Sequence, residues 1–496
     1  MKKPILDKWF YFPIFLMSIN LIIRLVNQSK IIKMFPLDYT NDWASYIAQL
    51  FFLAKCGFHQ TCPYWYNGFD TFVITSPGWY FFALPFYWIT KNVQIGAYLS
   101  LLAMFILSYL LIYILCKKNG LSRVKSIMFF LLFFGNALAI GDFIRLGRVV
   151  SMFPFMILIP FFTILLYYRN HKFNKYFLVF IPIYALVLIS HAPETIIFSF
   201  LIIGLFLVKK HLKERLYIIG SSLAAIIVSS FWLIPFLIAS TDSIITTDTY
   251  ALGEVLFNAW KFEPLTFIIS IIIPLALFLL FYLNWQKNKS KDYFLFYLPL
   301  LFLNLIFLLR IYPFIPLLKN IHPDIFHHFL LFFVIFFFLK LDLEKFSTNW
   351  KKMLFILFNL GVILSVTISL IHTPWFTEHT ESDKETLELF DYINGRYLIY
   401  GSNGSYTYAY YSYIPIYLDL PSASGWYPHM LSVEYKQLLK DSSDTLKEKD
   451  CEGFKNSLSA LNVTDILAYN EFCDSLDICN LNKKADKNNI CVYSYY

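Results

Sequence analysis

Eleven long apolar runs, each parted from the next by polar residues, limit what this chain can fold into. They fall at about residues 9–26, 94–116, 126–141, 149–168, 176–190, 194–208, 216–237, 264–284, 293–309, 325–341 and 353–371. In hydrocarbon every backbone N–H and C=O must be satisfied within the segment, so each run is expected to be an α-helix. At 1.5 Å per residue, Trp9 to Val26 comes close to the ~30 Å of a bilayer core. No small-residue cleavage site follows that run, so it reads as a retained helix rather than a removed signal peptide. Charged residues make up 15% of the chain, against about 25% in soluble domains, which excludes an ordinary globular protein. The expected location is a cell membrane, crossed many times.

Charge in the connecting turns orients the helices. The N-terminal residues through Lys8 and the turns 117–125, 169–175, 209–215, 287–291 and 340–352 hold 21 Lys and Arg. The alternating turns 142–148, 190–193, 239–263 and 310–323 hold five, so the first set and the N-terminus are expected in the cytoplasm. This requires that Pro77 to Thr90 not cross. With 14 residues, Pro85 inside it, and Trp79 and Trp88 near its ends, that run suits a helix at or dipping into the interface. Eleven crossings put the C-terminus outside. The net charge of +8 belongs largely to these turns, and no basic and aromatic interleaving suggests a nucleic-acid partner.

The fold class expected is therefore an all-α polytopic membrane domain, residues 1–371, with an external loop at 27–93, followed by a small mixed α/β extracytoplasmic domain at 372–496. In that tail, Arg396 to Tyr400 and Tyr413 to Leu418 suggest strands, and Ser432 to Leu439 and Gly453 to Leu461 suggest helices. Cys56, Cys62, Cys451, Cys473, Cys479 and Cys491 all fall outside, an even set suited either to disulfides or to scattered thiols, while Cys116 reaches the cytoplasmic edge. Sequons at Asn403 and Asn462 also fall outside.

Ionisable residues are nearly missing from the crossings and gather instead at outer helix ends: Asp38, Asp42, Asp142, Arg145, Arg148, His191, Glu194, Arg310, His322, Asp324, His327 and His328. A transporter would be expected to carry them at mid-membrane, so this pattern points to a site at the outer membrane face, between lipid and water. Asp38 and Asp42, in the acidic stretch Asn27 to Pro77, suit either a helix N-cap at Trp43 or an active-site role. Arg145 and Arg148, in a short turn with Asp142, suit phosphate oxygens, or interfacial snorkelling with an Asp142–Arg145 pair. His191 and Glu194 are held near the bilayer surface by a turn with almost no loop. His322, Asp324, His327 and His328 suit a lipid headgroup site, or zinc, although their spacing matches no standard zinc motif. In the tail, Trp426 and Tyr427, with the aromatic segment Ser405 to Tyr417, suit sugar stacking or simply a core.

The order of one crossing, acidic external loop, Pro-Gly-aromatic interfacial run, crossing, basic turn, crossing and Asp/Arg turn resembles the GT-C superfamily of polyprenyl-phosphate-dependent glycosyltransferases. Asn41-Asp42-Trp43-Ala44-Ser45-Tyr46 is similar to that superfamily's first-loop aspartate segment. Thr75-Ser76-Pro77-Gly78-Trp79-Tyr80, Arg145-Leu146-Gly147-Arg148 leading into Pro154 and Pro160, and Ser424-Gly425-Trp426-Tyr427-Pro428 look like prokaryotic membrane proteins labelled "6-pyruvoyl-tetrahydropterin synthase-related". That label does not denote pterin chemistry. The resemblance covers most of the chain and rests on short motifs.

The resemblance implies an inverting transfer of sugar from a polyprenyl-phosphate donor to an extracytoplasmic glycan, lipid or protein acceptor. Asp42 would be the catalytic carboxylate, with Asp38 beside it, and Asp142 would join Asp42 in holding a divalent cation such as Mg²⁺ or Mn²⁺. Arg145, Arg148, His191, Glu194, Arg310, His327, His328, Trp426 and Tyr427 would bind substrate. Two positions depart from the pattern: Ser45-Tyr46 replaces a histidine of the first-loop motif, and His327 or His328 replaces an arginine that opens a late crossing and meets lipid phosphate. A lipid-linked sugar flippase, or a non-catalytic lipid-binding assembly protein on the same scaffold, is the alternative these departures leave open.

Overall fold

The computed structural model describes residues 5–38, 42–242, 264–319, 321–341, 347–402, 407–427 and 431–495. Asn41, most of the 239–263 turn, the Asn403 sequon, Ser405 and Pro428 lie outside the described residues.

All eleven apolar runs are helical. Seven form helices long and apolar enough to cross a membrane: Lys8–Ile32, Val93–Lys118, Val149–Asn170, Pro264–Lys287, Lys291–Leu308, Pro323–Lys340 and Thr348–Ile371. Two more are bent pairs. Arg123–Phe134 and Ala137–Arg145 meet at 52°, and Leu212–Val228 and Ser230–Ala239 meet at 74°. The remaining two, Lys175–Leu188 and Ala192–Val208, are shorter apolar helices. The run after Pro77 is a separate helix, Gly78–Thr90, that packs on Val93–Lys118, its buried Trp79 donating to the Ser100 hydroxyl at 3.2 Å.

Contacts between turns show which helix ends lie together. Lys125 donates to the Leu339 carbonyl at 2.7 Å, and Lys340 to Asn119 at 3.4 Å. Lys209 donates to the His171 carbonyl at 2.7 Å, the Arg169 guanidinium lies 5.2 Å from the Tyr293 ring, and Trp9 packs 5.0 Å from Phe355. The basic turns therefore share one end of the bundle, as the alternation of charge requires.

The sheet domain lies in the tail, after the helix Thr348–Ile371. Strands Tyr397–Tyr400, Asp465–Tyr469, Ile490–Ser494 and Asn482–Lys487 lie side by side in that order, the first pair parallel and the others antiparallel. Helices Val433–Glu448 and Cys451–Ala460 agree with the sequence. Tyr413 to Leu418 does not: it belongs to a helix, Thr407–Tyr417. Aromatic residues favour strands only where a pleated surface receives them. Here Tyr410, Tyr411 and Ile414 are buried instead between the sheet and the helix Trp43–Lys55, and packing overrides local preference. The six outer cysteines pair as Cys56–Cys62, Cys451–Cys479 and Cys473–Cys491, and Cys116 remains a buried thiol.

This domain is fixed to the bundle at the end away from the basic turns. Arg24, buried in the first helix, donates to the Thr373 carbonyl at 3.0 Å and lies 3.8 Å from the Trp375 ring, while Asn27 accepts from the Phe376 N–H at 2.9 Å. From the loop between the first two long helices, Trp65 donates to the Tyr411 carbonyl at 2.7 Å, and the Tyr64 carbonyl accepts from the Ser422 hydroxyl at 2.8 Å. Tyr417 also bonds Gln94. The buried apolar side chains form one continuous core through helices and sheet.

Helix packing in the bundle relies on close approach at Gly204, where an added Cβ would lie 2.1 Å from the Phe296 carbonyl oxygen of the neighbouring helix. Small residues at such crossings let backbones meet. Gly204→Ala should cost roughly 1–3 kcal/mol and lower the melting temperature in detergent, as overpacking does. Gly220→Ala, where nothing lies within 4 Å, should leave it unchanged or slightly raised.

Candidate active site

The residues expected at outer helix ends meet under the sheet domain because backbone contacts pin two distant turns together. The Asp42 N–H donates to the Leu146 carbonyl at 2.7 Å, and the Trp43 indole N–H to the Ile144 carbonyl at 2.9 Å. Gly147 makes the fit possible. Its φ of +75° is a left-handed conformation, and a Cβ there would lie 2.1 Å from the Trp43 ring. Asp142 and Arg145 sit on a widened π-helical turn, Ile140–Arg145, an irregularity common at functional sites.

Arg148 is the centre of the arrangement. Its guanidinium pairs with Asp324, lies 3.6 Å from an Asp42 oxygen and 3.8 Å from an Asp142 oxygen. These carboxylates come from three separate parts of the chain. Asp142 is held from its other side by His328, whose Nε2 lies 2.8 Å from its Oδ2. Asp42 begins the helix Trp43–Lys55 but makes no side-chain cap, so the capping alternative for it does not hold. Asp38 instead pairs with the buried Arg145, and that partnership replaces the expected Asp142–Arg145 pair.

Of the other expected residues, some adjoin this centre and others have contacts of their own. His191 bonds Glu194, and its ring lies within electrostatic range of Arg148 and Asp324. The adjacent histidines diverge: His328 meets Asp142, while the His327 ring packs 5.4 Å from Phe307. Arg310 lies 4.2 Å over the Phe267 ring and 3.4 Å from the Ser270 hydroxyl, against the same Phe307 and Tyr312 wall. Tyr427 of the sheet domain comes down to the Asp42 helix, its hydroxyl 3.0 Å from that of Ser45. Trp426 turns instead toward Tyr408, at 6.5 Å. Gly425 permits this approach, since a Cβ there would lie 2.7 Å from the Trp65 ring.

The sequence grouped Asp324 with His322, His327 and His328, whereas the structure turns it to Arg148. Ser45 and Tyr46, which replace the motif histidine, and Tyr80 lie near Asp42, a placement the sequence does not announce because aromatic and hydroxyl residues at helical spacing usually belong to a core.

The electrostatics follow from the crowding. Burial pushes the Asp42 carboxyl above its ordinary range, with Arg148 acting against this and Asp142 and Asp324 adding to it. Burial works against the Arg148 cation, but three carboxylates outweigh it and hold the group firmly charged. His191 is likewise raised by Glu194 in spite of burial, whereas burial lowers His322. Three carboxylates around one guanidinium leave surplus negative charge, and their oxygens are the donors a hard divalent cation prefers. Asp42 and Asp142 carry two of those donor groups, 3.6 and 3.8 Å from Arg148. Among the described residues no three such groups stand close enough together to hold a metal ion.

No protein-family model matches the chain, and neither does any curated protein. Solved structures share its fold, among them two from one archaeon. The oligosaccharyltransferase of Archaeoglobus fulgidus in its apo form superposes with a TM-score of 0.53 at 11% identity, over 91% of this chain and 69% of that one. The archaeal oligosaccharyltransferase AglB of the same organism, in complex with an inhibitory peptide and a dolichol-phosphate, gives 0.56 at 10% identity, over 92% and 69%. This chain thus shares the fold of those two proteins, a multipass helical body followed by a C-terminal domain.

If Arg148 is what keeps three carboxylates together, removing it leaves them facing one another. Arg148→Ala should cost roughly 2–3 kcal/mol, less than the ~3–5 kcal/mol of a fully buried pair because the side chain is 30% exposed. Adding Asp324→Asn should recover part of the lost melting temperature. Equal melting of wild type and Arg148→Ala would contradict the arrangement.

Proposed function

We propose that the chain is an inverting membrane glycosyltransferase that takes a sugar from a polyprenyl-phosphate donor at the outer membrane face. The observation that carries this is the convergence of Asp42, Asp142 and Asp324 on Arg148, at the bundle end covered by the sheet domain, on an oligosaccharyltransferase fold. The neighbour bound to dolichol-phosphate and a peptide makes a lipid-linked donor and a peptide-like acceptor reasonable partners here. The finer likeness to the "6-pyruvoyl-tetrahydropterin synthase-related" membrane proteins rests on the short motifs alone.

In this mechanism the isoprenoid stays in hydrocarbon while its phosphate meets cations at the helix ends. Asp42 accepts the proton of an acceptor hydroxyl, or of an amide N–H in a peptide. The acceptor atom attacks the anomeric carbon from the face opposite the phosphate. The carbon–oxygen bond to phosphate breaks, its electron pair leaves with the phosphate, and the anomeric configuration inverts. General-base help of this kind contributes about 10²–10⁴-fold. Arg148 and Arg310 offset charge on the departing phosphate, while Asp38 holds Arg145 in place. A divalent cation between Asp42 and Asp142 would supply further charge stabilisation when bound. Tyr427, hydrogen-bonded to Ser45 beside Asp42, places the sheet domain where an acceptor would enter, and Trp426 with Tyr408 offers an aromatic wall farther out. On this reading the sheet domain is extracytoplasmic and the N-terminus cytoplasmic.

Transfer from polyprenyl-phosphate sugars to soluble acceptors, assayed with reconstituted protein, tests the proposal. Asp42→Asn should reduce turnover by about 10²–10⁴-fold with little change in melting temperature. A base works deprotonated and burial raises Asp42, so the rate should fall on acidification through a pH above the ordinary carboxylate value of about 4. Equal turnover for wild type and Asp42→Asn would remove the role assigned to Asp42.

A further inference from the structure

The opposite end of the bundle holds a second site. The helix Val149–Asn170 starts next to Arg148 and Ala192–Val208 next to His191. Their far ends therefore lie about 33 and 26 Å away at 1.5 Å per residue, roughly the thickness of a bilayer core. There the 169–175 and 209–215 turns enclose a half-open cavity of about 520 Å³.

Its lining has two characters. Phe173 and Tyr217, with ring centres 5.6 Å apart, make an aromatic wall, and Lys172, His211 and Lys213 stand exposed around the opening. Glu214 also lines it, but its carboxylate is taken up by Lys209 at 3.2 Å. Lys209 is itself buried, lying 4.7 Å from the Phe173 ring and donating to the His171 carbonyl. Among the described residues no carboxylate pairs with Lys172 or Lys213, so the cavity keeps a net positive rim. The helix Leu212–Val228 begins at this rim without a side-chain cap, and N–H groups at such a terminus favour anions.

Directly beyond the rim the surface turns apolar. Leu212, Leu216, Ile219 and Leu223 are all exposed and recur at helical spacing down one side of that helix, and Leu178 and Val179 are exposed on the neighbouring element. Cations above an apolar stripe, at one end of a membrane bundle, match a molecule with a phosphate head and a hydrocarbon tail. We propose that this cavity binds a phosphate-bearing lipid in the leaflet opposite the candidate active site, the phosphate between Lys172 and Lys213 and the tail along Leu216 and Ile219. The site stands independently of the glycosyltransferase reading.

Native mass spectrometry of the full chain released from detergent micelles tests this, comparing wild type with Lys172→Gln/Lys213→Gln. Both lysines are exposed, so the variant should melt as the wild type does. The probes are phosphatidylglycerol, a polyprenyl monophosphate, diacylglycerol and inorganic phosphate, each at the same concentration. The variant should retain roughly 10-fold less of a phosphate lipid, in keeping with the attraction of each lysine for an anionic surface. Loss of both lipids supports a headgroup site indifferent to the tail, and loss of one alone supports the site and identifies its source. Equal retention by wild type and variant overturns the proposal. So does diacylglycerol held as tightly as the phosphate lipids, or inorganic phosphate that binds as well as they do.

Discussion

A single guanidinium shared by three carboxylates organises the upper end of this molecule. Arg148 cannot satisfy Asp42, Asp142 and Asp324 at once unless the loop between the first two long helices, the 140–148 turn and the start of the Pro323–Lys340 helix all stop within a few ångströms of one another. Charged groups at a bilayer edge are costly to leave unpaired. The ion cluster therefore fixes the relative position of helices far apart in sequence, while the hydrocarbon-facing remainder of the bundle needs only to be apolar.

The backbone around the cluster is arranged to make that position rigid. Gly147 lets the Trp43 ring lie flat against the turn, Asp42 bonds Leu146 through its own N–H, and Asp38 holds the buried Arg145 beside them. The sheet domain then closes over this region through Tyr427 and the Trp65 and Tyr64 contacts. An acidic, partly buried centre between lipid and an overlying domain suits chemistry on a substrate whose tail stays in the membrane. Transport would call for ionisable groups along the middle of the bundle. The charged pairs described here sit instead at its two ends.

The sequence made the helices legible because hydrocarbon leaves an apolar run no other way to satisfy its backbone. The grouping of basic turns at one end was legible for a related reason, since charge asymmetry acts turn by turn. Partnerships were not legible. Arg145 meets Asp38 across 107 positions and Arg148 meets Asp324 across 176, and no local pattern encodes such distances. Asp324 was legible only as a neighbour of its histidines, and nothing local directed it to Arg148. The helix Thr407–Tyr417 was obscured because its tyrosines favour a strand until a neighbouring helix buries them. The pairing of the four tail cysteines likewise depends on the folded domain, where Cys473 bonds Cys491 and Cys451 bonds Cys479.

The most direct measurement of the central claim is an experimental structure of the full chain with Mn²⁺ and a polyprenyl monophosphate, located by anomalous scattering at the manganese edge. The account expects manganese density held by Asp42 and Asp142, with Arg148 turned from them toward the lipid phosphate. Manganese bound elsewhere, or Arg148 still clasped by all three carboxylates with the phosphate remote from it, would contradict the account.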